Sequence, residues 1–252
     1  MNTVFTWISQ EPALTAGLAA IAILFMHNWA TEGRDKARIQ NGEAGARLGV
    51  YNKVLIHLWA LTAVTVAMWL LSGRDLDMLG LGMGVEGWRS WVAWGLTALG
   101  AAYFIYTVVS AAASSKTRAT IRAQIGEAGE LDLIRPETPA EFKRFNWVAL
   151  TAGITEEVIF RGFLIGVLSL IMPLPVAAVI AIAIFVIGHA YQGMAGMLRI
   201  LPISIGLTVI FLLSGSLWPC IILHALTDLV GGAVFQILHK TQEADQAEAV
   251  PA

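Results

Sequence analysis

One apolar stretch of the chain reads Thr155-Glu156-Glu157-Val158-Ile159-Phe160-Arg161-Gly162, which puts three ionisable side chains among residues otherwise suited to lipid. A charge at the centre of a membrane helix costs about 2.5 to 3.5 kcal/mol on insertion scales, and an unpaired trio on the order of 8 to 10 kcal/mol. Pairing must relieve part of that. Glu157 and Arg161 are four apart, on one helical face, with the acid N-terminal to the base, the favoured order for a helical ion pair. Glu156 lies about 100° around the helix from Glu157 and is less well placed for that arginine. The spacing therefore divides the labour: Arg161 holds Glu157 and orients the site, and Glu156 stays free to bind and deprotonate a water. A buried ion-pair network that only fixes helix packing is the plainer alternative, and it leaves the second carboxylate without a purpose.

Two further apolar stretches carry the remaining candidates. Phe185-Val186-Ile187-Gly188-His189 places an imidazole at the end of a run with no other polar group. Alone, His189 would suit an interfacial side chain as well as a site. His224 and Asp228 are again four apart on one helical face, an arrangement that could also be a pair satisfying itself inside a bundle. Taken with the glutamates they form a set, because ionisable residues inside membrane bundles mark sites or pathways. His27, His57 and His239 fall near the ends of apolar runs, as interfacial residues do, and no chemistry is assigned to them. The tryptophans, among them Trp88, Trp91 and Trp94, read as interface anchors and bundle packing.

The elements that must position these residues are membrane helices. Over 252 residues the chain is 57% hydrophobic and only 13% charged, with a mean hydropathy of +0.69, which excludes an ordinary soluble domain. Runs long enough to cross a bilayer, each needing roughly 20 residues, fall near Ala13–Ala30, Val54–Ser72, Trp88–Ala113, Phe145–Met172, Pro175–Ala190, Leu198–Gly215 and Leu217–Leu238. The expected fold class is an all-α polytopic transmembrane bundle of about seven spans, six to eight being the range. Helices are required because lipid offers backbone groups no other partners. Gly73, Pro173 and Pro175, and Ser214-Gly215-Ser216 punctuate the runs.

Lys and Arg cluster after the first run (Arg34, Lys36, Arg38, Arg47, Lys53) and after the third (Lys116, Arg118, Arg122, Arg135, Lys143, Arg144). Positively charged loops stay in the cytoplasm, so the N-terminus is expected outside and the Lys240 end inside. With Arg34 the first basic residue, the first run is read as a retained span and not a secretory signal. Ser114 to Glu141 is too polar to span, yet Ile121, Ile125, Ala128, Leu131 and Leu133 partly follow helical spacing, as in a helix lying on the interface; a plain cytoplasmic linker fits equally. The chain divides into a three-span region with this linker (1–144), a core holding every candidate residue (145–238) and a polar, disordered tail (239–252). A net charge of −2 leaves no basic stripe for nucleic acid, and the lone Cys220 offers no disulfide or thiolate metal site.

Glu156-Glu157 with Arg161, Phe185 with His189, and His224 with Asp228 resemble, in order, the three motifs of the CAAX protease and bacteriocin-processing family, which includes the type II CAAX prenyl proteases. The resemblance covers roughly residues 145–238, and the first three spans carry no matching motif. It implies a helical bundle with a cytoplasm-facing cavity, in which Glu156, aided by His189, activates water for peptide hydrolysis without a covalent intermediate. His224 would stabilise the oxyanion with position 228 beside it. Prenyl-processing members typically have asparagine there, whose amide can donate. Asp228 would have to be held neutral to donate, or else orient His224.

No cofactor is expected. The competing enzyme is a metal-dependent membrane hydrolase with zinc on Glu156, His189 and His224, although no HExxH is present. A serine mechanism through Ser214 or Ser216 lacks a GxSG. Outside catalysis, a membrane adaptor or immunity protein and a small-ion transporter could keep such a bundle, the transporter without matching discontinuous helices. The expected partners are the bilayer and a membrane-anchored peptide or protein substrate, lipidated or not.

Overall fold

The computed structural model describes residues 2–126 and 135–248, and among them it contains helices and no strands. A short helix α1 (Asn2–Gln10) precedes α2 (Pro12–Gln40), whose first position is the proline that costs a helix start nothing. The next helices are α3 (Ala46–Leu71), α4 (Trp88–Ala113) and α5 (Ser115–Gly126). Then α6 (Pro139–Glu156) passes directly into a π-helical stretch (Glu157–Leu164) and a last α turn (Ile165–Leu168). Finally α7 (Leu174–Gly188), a single 3-10 turn (Ala190–Gln192), α8 (Gly193–Ser214) and α9 (Trp218–Glu248) complete the bundle.

All seven expected apolar runs are helical. Five are long and apolar enough to cross a membrane: Pro12–Gln40, Ala46–Leu71, Trp88–Ala113, Ala190–Ser214 and Trp218–Gln242. The other two are the charged α6 and the apolar α7, whose 15 residues cover about 22 Å, less than the roughly 30 Å of hydrocarbon. The two differ from the others for a reason visible in burial. Most of α2, α3 and α4 faces outward, as lipid-contacting helices do, whereas every residue of the π stretch is buried. The helix carrying the charges is the central one, walled by α3, α7 and α9, so its ionisable groups see protein and not lipid.

The walls come close where side chains are smallest. A Cβ on Gly153 of α6 would stand 2.6 Å from the backbone of Ala225 on α9, next to His224, and one on Gly17 of α2 would stand 2.3 Å from the Phe163 ring. Phe163, Leu14, Ile159 and Val167, all fully buried, belong to one core shared by α2, α3, α6, α7 and the start of α9.

The two ends of the bundle are tied differently. At the end where α2 meets α3, Arg47 pairs with Glu137 and Glu141 at 2.9 and 3.3 Å, and Thr138 and Glu141 form a reciprocal capping box at the start of α6. There α5 acts as a tie: Arg118 donates to the last carbonyls of α4 (Ala111 and Ala112), Arg122 to Leu238 O and Thr241 Oγ1 of α9, and Arg199 of α8 to Gln124 O. At the opposite end the segment between α3 and α4 knots onto the α8–α9 turn, with Val85 N donating to Ser214 O at 2.7 Å and Leu217 N to Gly80 O at 2.7 Å. Gly84, at φ +81°, allows that approach, since a Cβ there would lie 2.1 Å from Ser214 O. Arg74 grips Glu11 at 2.8 Å on the same end and holds its carboxyl below the ordinary carboxylate range. The basic clusters thus gather at one end and the acidic segment at the other.

Two expectations change. The region after α4 is helical over Ser115–Gly126, and Ile121 packs on the core formed by Ala111, Val230, Val234 and Leu238; the rest of the proposed interfacial spacing, from Ile125 to Leu133, falls on side chains outside the described residues. The C-terminal segment expected to be disordered from residue 239 continues as helix through Glu248. The reason is local: Thr241 Oγ1 bonds back to Ile237 O at 3.0 Å, and Arg122 ties that turn to α5.

Gly153→Leu is expected to push α6 and α9 apart, lowering stability by about 1 to 3 kcal/mol, the usual cost of overpacking. Gly95→Leu, where nothing lies within 4 Å, is the matched control. A lowered thermal-unfolding midpoint in detergent micelles for the first and an unchanged one for the second checks the close α6–α9 approach.

Candidate active site

The change from α to π geometry falls between the two glutamates: Glu156 is the last α-helical residue and Glu157 the first of the π stretch. A straight α-helix was the expectation here. Single turns of i→i+5 bonding inside α-helices recur at functional sites, and here the stretch carries both Glu157 and Arg161 inward with no loss of their pairing. Arg161 Nη1 donates to Glu157 Oε1 at 2.7 Å, with both side chains at or near zero exposure. The second arm of the guanidinium reaches α8, where Nη2 donates to Ser204 Oγ at 3.0 Å and to Ser204 O at 3.3 Å. The face of the guanidinium lies 4.5 Å from the centre of the Phe185 ring on α7, a cation–π contact that suits a desolvated arginine.

Glu157 Oε1 also accepts from His224 Nδ1 on α9, at 2.6 Å. An ionised carboxylate already bound to arginine only accepts, so Nδ1 carries the proton and His224 Nε2 bears one only in the imidazolium form. His189, at the C-cap of α7, is fixed in the same way: its Nδ1 lies 2.8 Å from Phe185 O, a carbonyl that only accepts. In the neutral ring the lone pair is therefore on Nε2. Both Nε2 atoms face one oxygen, Glu156 Oε2, from 4.0 Å for His189 and 3.8 Å for His224.

Those separations exceed a hydrogen bond and suit two groups that share a third atom. Glu156 Oε2 and Glu157 Oε2 are the two buried side-chain polar atoms without a hydrogen-bond partner among the described residues. Buried acceptors left empty are rare and call for an explanation. Asp228 Oδ2 lies 3.7 Å from His224 Nε2, with about a third of its side chain exposed. Of the two roles open to Asp228 in the sequence, orienting His224 falls instead to Glu157, which holds the far nitrogen; Asp228 stands on the reactive side.

All six residues singled out in the sequence come together, from three helices. Four others were not given roles. Phe185 lies 4.6 Å from the His189 ring and 6.0 Å from that of His224, so the aromatic of the second motif is the floor under both imidazoles. Gly153 admits α9. Ser204 anchors Arg161, and a small polar residue in an apolar helix was its only signal. Tyr191 follows His189 in the 3-10 turn, their rings 5.8 Å apart. Ser214 and Ser216, the serine alternative, spend their hydroxyls on Ile210 O and Gly82 O in the knot at the closed end. His27 and His57 pair with one another between α2 and α3, and His239 packs on Phe142.

No three His, Cys, Asp or Glu side chains among the described residues are grouped to hold a metal ion. Zinc ligation by Glu156, His189 and His224 would require their shared focus, with both imidazoles now 3.8 to 4.0 Å from Glu156 Oε2, to tighten.

Residues 140–230 match the family model described as Type II CAAX prenyl endopeptidase Rce1-like. The match spans all three motifs and bears out the resemblance to the CAAX protease family. No curated protein and no solved structure matches the chain.

Arg161→Met is expected to leave the buried Glu157 without its arginine counter-charge. Removing one partner of a buried pair costs about 3 to 5 kcal/mol, whereas Ser204→Ala removes one hydrogen bond and costs about 1 kcal/mol. Thermal unfolding in detergent should rank Arg161→Met well below Ser204→Ala, and Arg161→Lys should fall near the methionine variant because lysine cannot span both acceptors.

Proposed function

We propose that this member of the CAAX protease family is an intramembrane endopeptidase that cleaves a peptide bond in the C-terminal or membrane-proximal segment of a membrane-anchored substrate, with Glu156 as general base. The observation that carries the proposal is the unpartnered Glu156 Oε2 facing His189 Nε2 and His224 Nε2 at 4.0 and 3.8 Å. A water there accepts no competition from protein donors. It can donate one hydrogen to Glu156 and the other to the lone pair of His189 Nε2.

The water oxygen attacks the scissile carbonyl carbon as Glu156 takes its proton. Charge moves onto the carbonyl oxygen, where His224 Nε2–H, in the imidazolium form held by Glu157, stabilises it. Collapse breaks the C–N bond, and Glu156 returns the proton to the leaving amine. Glu157 and Arg161 touch no reacting atom in this scheme; they fix the ring of His224. No covalent enzyme intermediate forms.

Access favours one side. The knot of residues 80–85 on the α8–α9 turn closes the bundle at one end, and the short α7 ends at His189 within the apolar depth. The distribution of Lys and Arg favours a cytoplasmic-membrane orientation in which the end tied by α5 faces the cytoplasm, with the N-terminus outside and the C-terminus inside. A substrate tail would enter from the cytoplasm, and surrounding lipid and protein would exclude bulk solvent.

Purified protein in detergent, presented with membrane-tethered peptides, prenylated and not, is expected to cleave at least one of them. Glu156→Gln should lower the rate by about 10² to 10⁴-fold, the usual worth of a positioned base, and a chelator should leave the parent unaffected. Loss of cleavage on chelation would favour a metal hydrolase, and binding of peptides with no cleavage at all an adaptor.

A further inference from the structure

Acyl transfer to water needs donors aimed at the developing oxyanion, and the described site is short of them. His224 Nε2 supplies one only when cationic, and an ionised Asp228 only accepts. We propose that Tyr191 is a further catalytic residue, its hydroxyl a neutral hydrogen-bond donor to the scissile carbonyl oxygen. The proposal rests on the hydrolytic reading above and deepens it.

Three features of the turn after α7 support this role. First, the ring of Tyr191 lies 5.8 Å from that of His189, tilted by 31°, and the Phe185 ring lies 4.6 Å from the same imidazole. The phenol is thereby next to the imidazole whose Nε2 faces Glu156. Second, the oxygen is already engaged as an acceptor: Gln192 Nε2 donates to it at 3.0 Å. With that lone pair used, the hydroxyl proton is left to point elsewhere, and no described acceptor takes it. Third, the placement of Gln192 is built in. It folds back over Gly196 on the next turn of α8, where a Cβ would come within 2.5 Å of Gln192 Cβ. Gly193, at φ +73°, turns the chain from the 3-10 segment into α8 and lets the two side chains meet. A glycine-backed glutamine holding a tyrosine oxygen fixes where the proton can go.

Tyr191→Phe keeps the ring against His189 and deletes only the donor. With the peptide that the parent cleaves in a Glu156-dependent manner, kcat should fall by about 10²-fold, the effect of losing one oxyanion donor, with KM within twofold and the unfolding midpoint unchanged. Asp228→Asn added to Tyr191→Phe should then recover at least tenfold of the loss, because an amide at 228 restores a neutral donor beside His224 Nε2. An unchanged kcat in Tyr191→Phe overturns the proposal. So does a fall that Asp228→Asn does not rescue, which would make the hydroxyl a matter of shape. If cleavage by the parent is indifferent to Glu156→Gln, the hydrolytic reading itself fails, and the donor role falls with it.

Discussion

The C-terminal half of this protein hangs on Glu157, a carboxylate with no solvent exposure that is bound by Arg161 on its own helix and by His224 from α9. Burying that charge alone would cost several kcal/mol. The surroundings are arranged to offset it: the guanidinium spans Glu157 and Ser204, and Phe185 covers its face. The result joins α6, α7, α8 and α9 through one ion pair. It also fixes which nitrogen of His224 faces Glu156.

The two adjacent glutamates consequently have opposite lives. Glu157 spends its Oε1 on Arg161 and His224, whereas Glu156 Oε2 has no hydrogen-bond partner and faces the Nε2 atoms of both histidines. The close approach of Gly153 to Ala225 brings His224 within reach of both. The α7 helix, too short to cross the hydrocarbon, delivers His189 to the same depth.

Much of the site was legible in the chain because ionisable residues in apolar helices are few and costly, so each one stands out. The i, i+4 spacings of Glu157 with Arg161 and of His224 with Asp228 predicted shared faces, and both pairs are on them. Spacing could not show that His224 would turn its Nδ1 to Glu157, because that depends on how α6 and α9 cross. The roles of Phe185, Ser204 and Tyr191 were hidden for the same reason: each is an ordinary residue of its helix until a neighbouring helix supplies the partner. The seven helices followed from apolar runs alone. The π stretch did not, since nothing in the composition of Glu157–Leu164 distinguishes i→i+5 from i→i+4 bonding, and the helical course beyond Leu238 depends on the tie from Arg122.

In the proposed mechanism Glu156 and His189 hold a water poised for attack inside a frame set by Glu157. A high-resolution structure of the protein in lipid, with an uncleavable peptide bound, tests it most directly. An ordered solvent oxygen is expected about 2.7 to 3.0 Å from both Glu156 Oε2 and His189 Nε2, with His224 Nδ1 still on Glu157. A metal ion at about 2.0 to 2.2 Å from those atoms, or Glu156 closed directly onto an imidazole with no solvent between them, would contradict it.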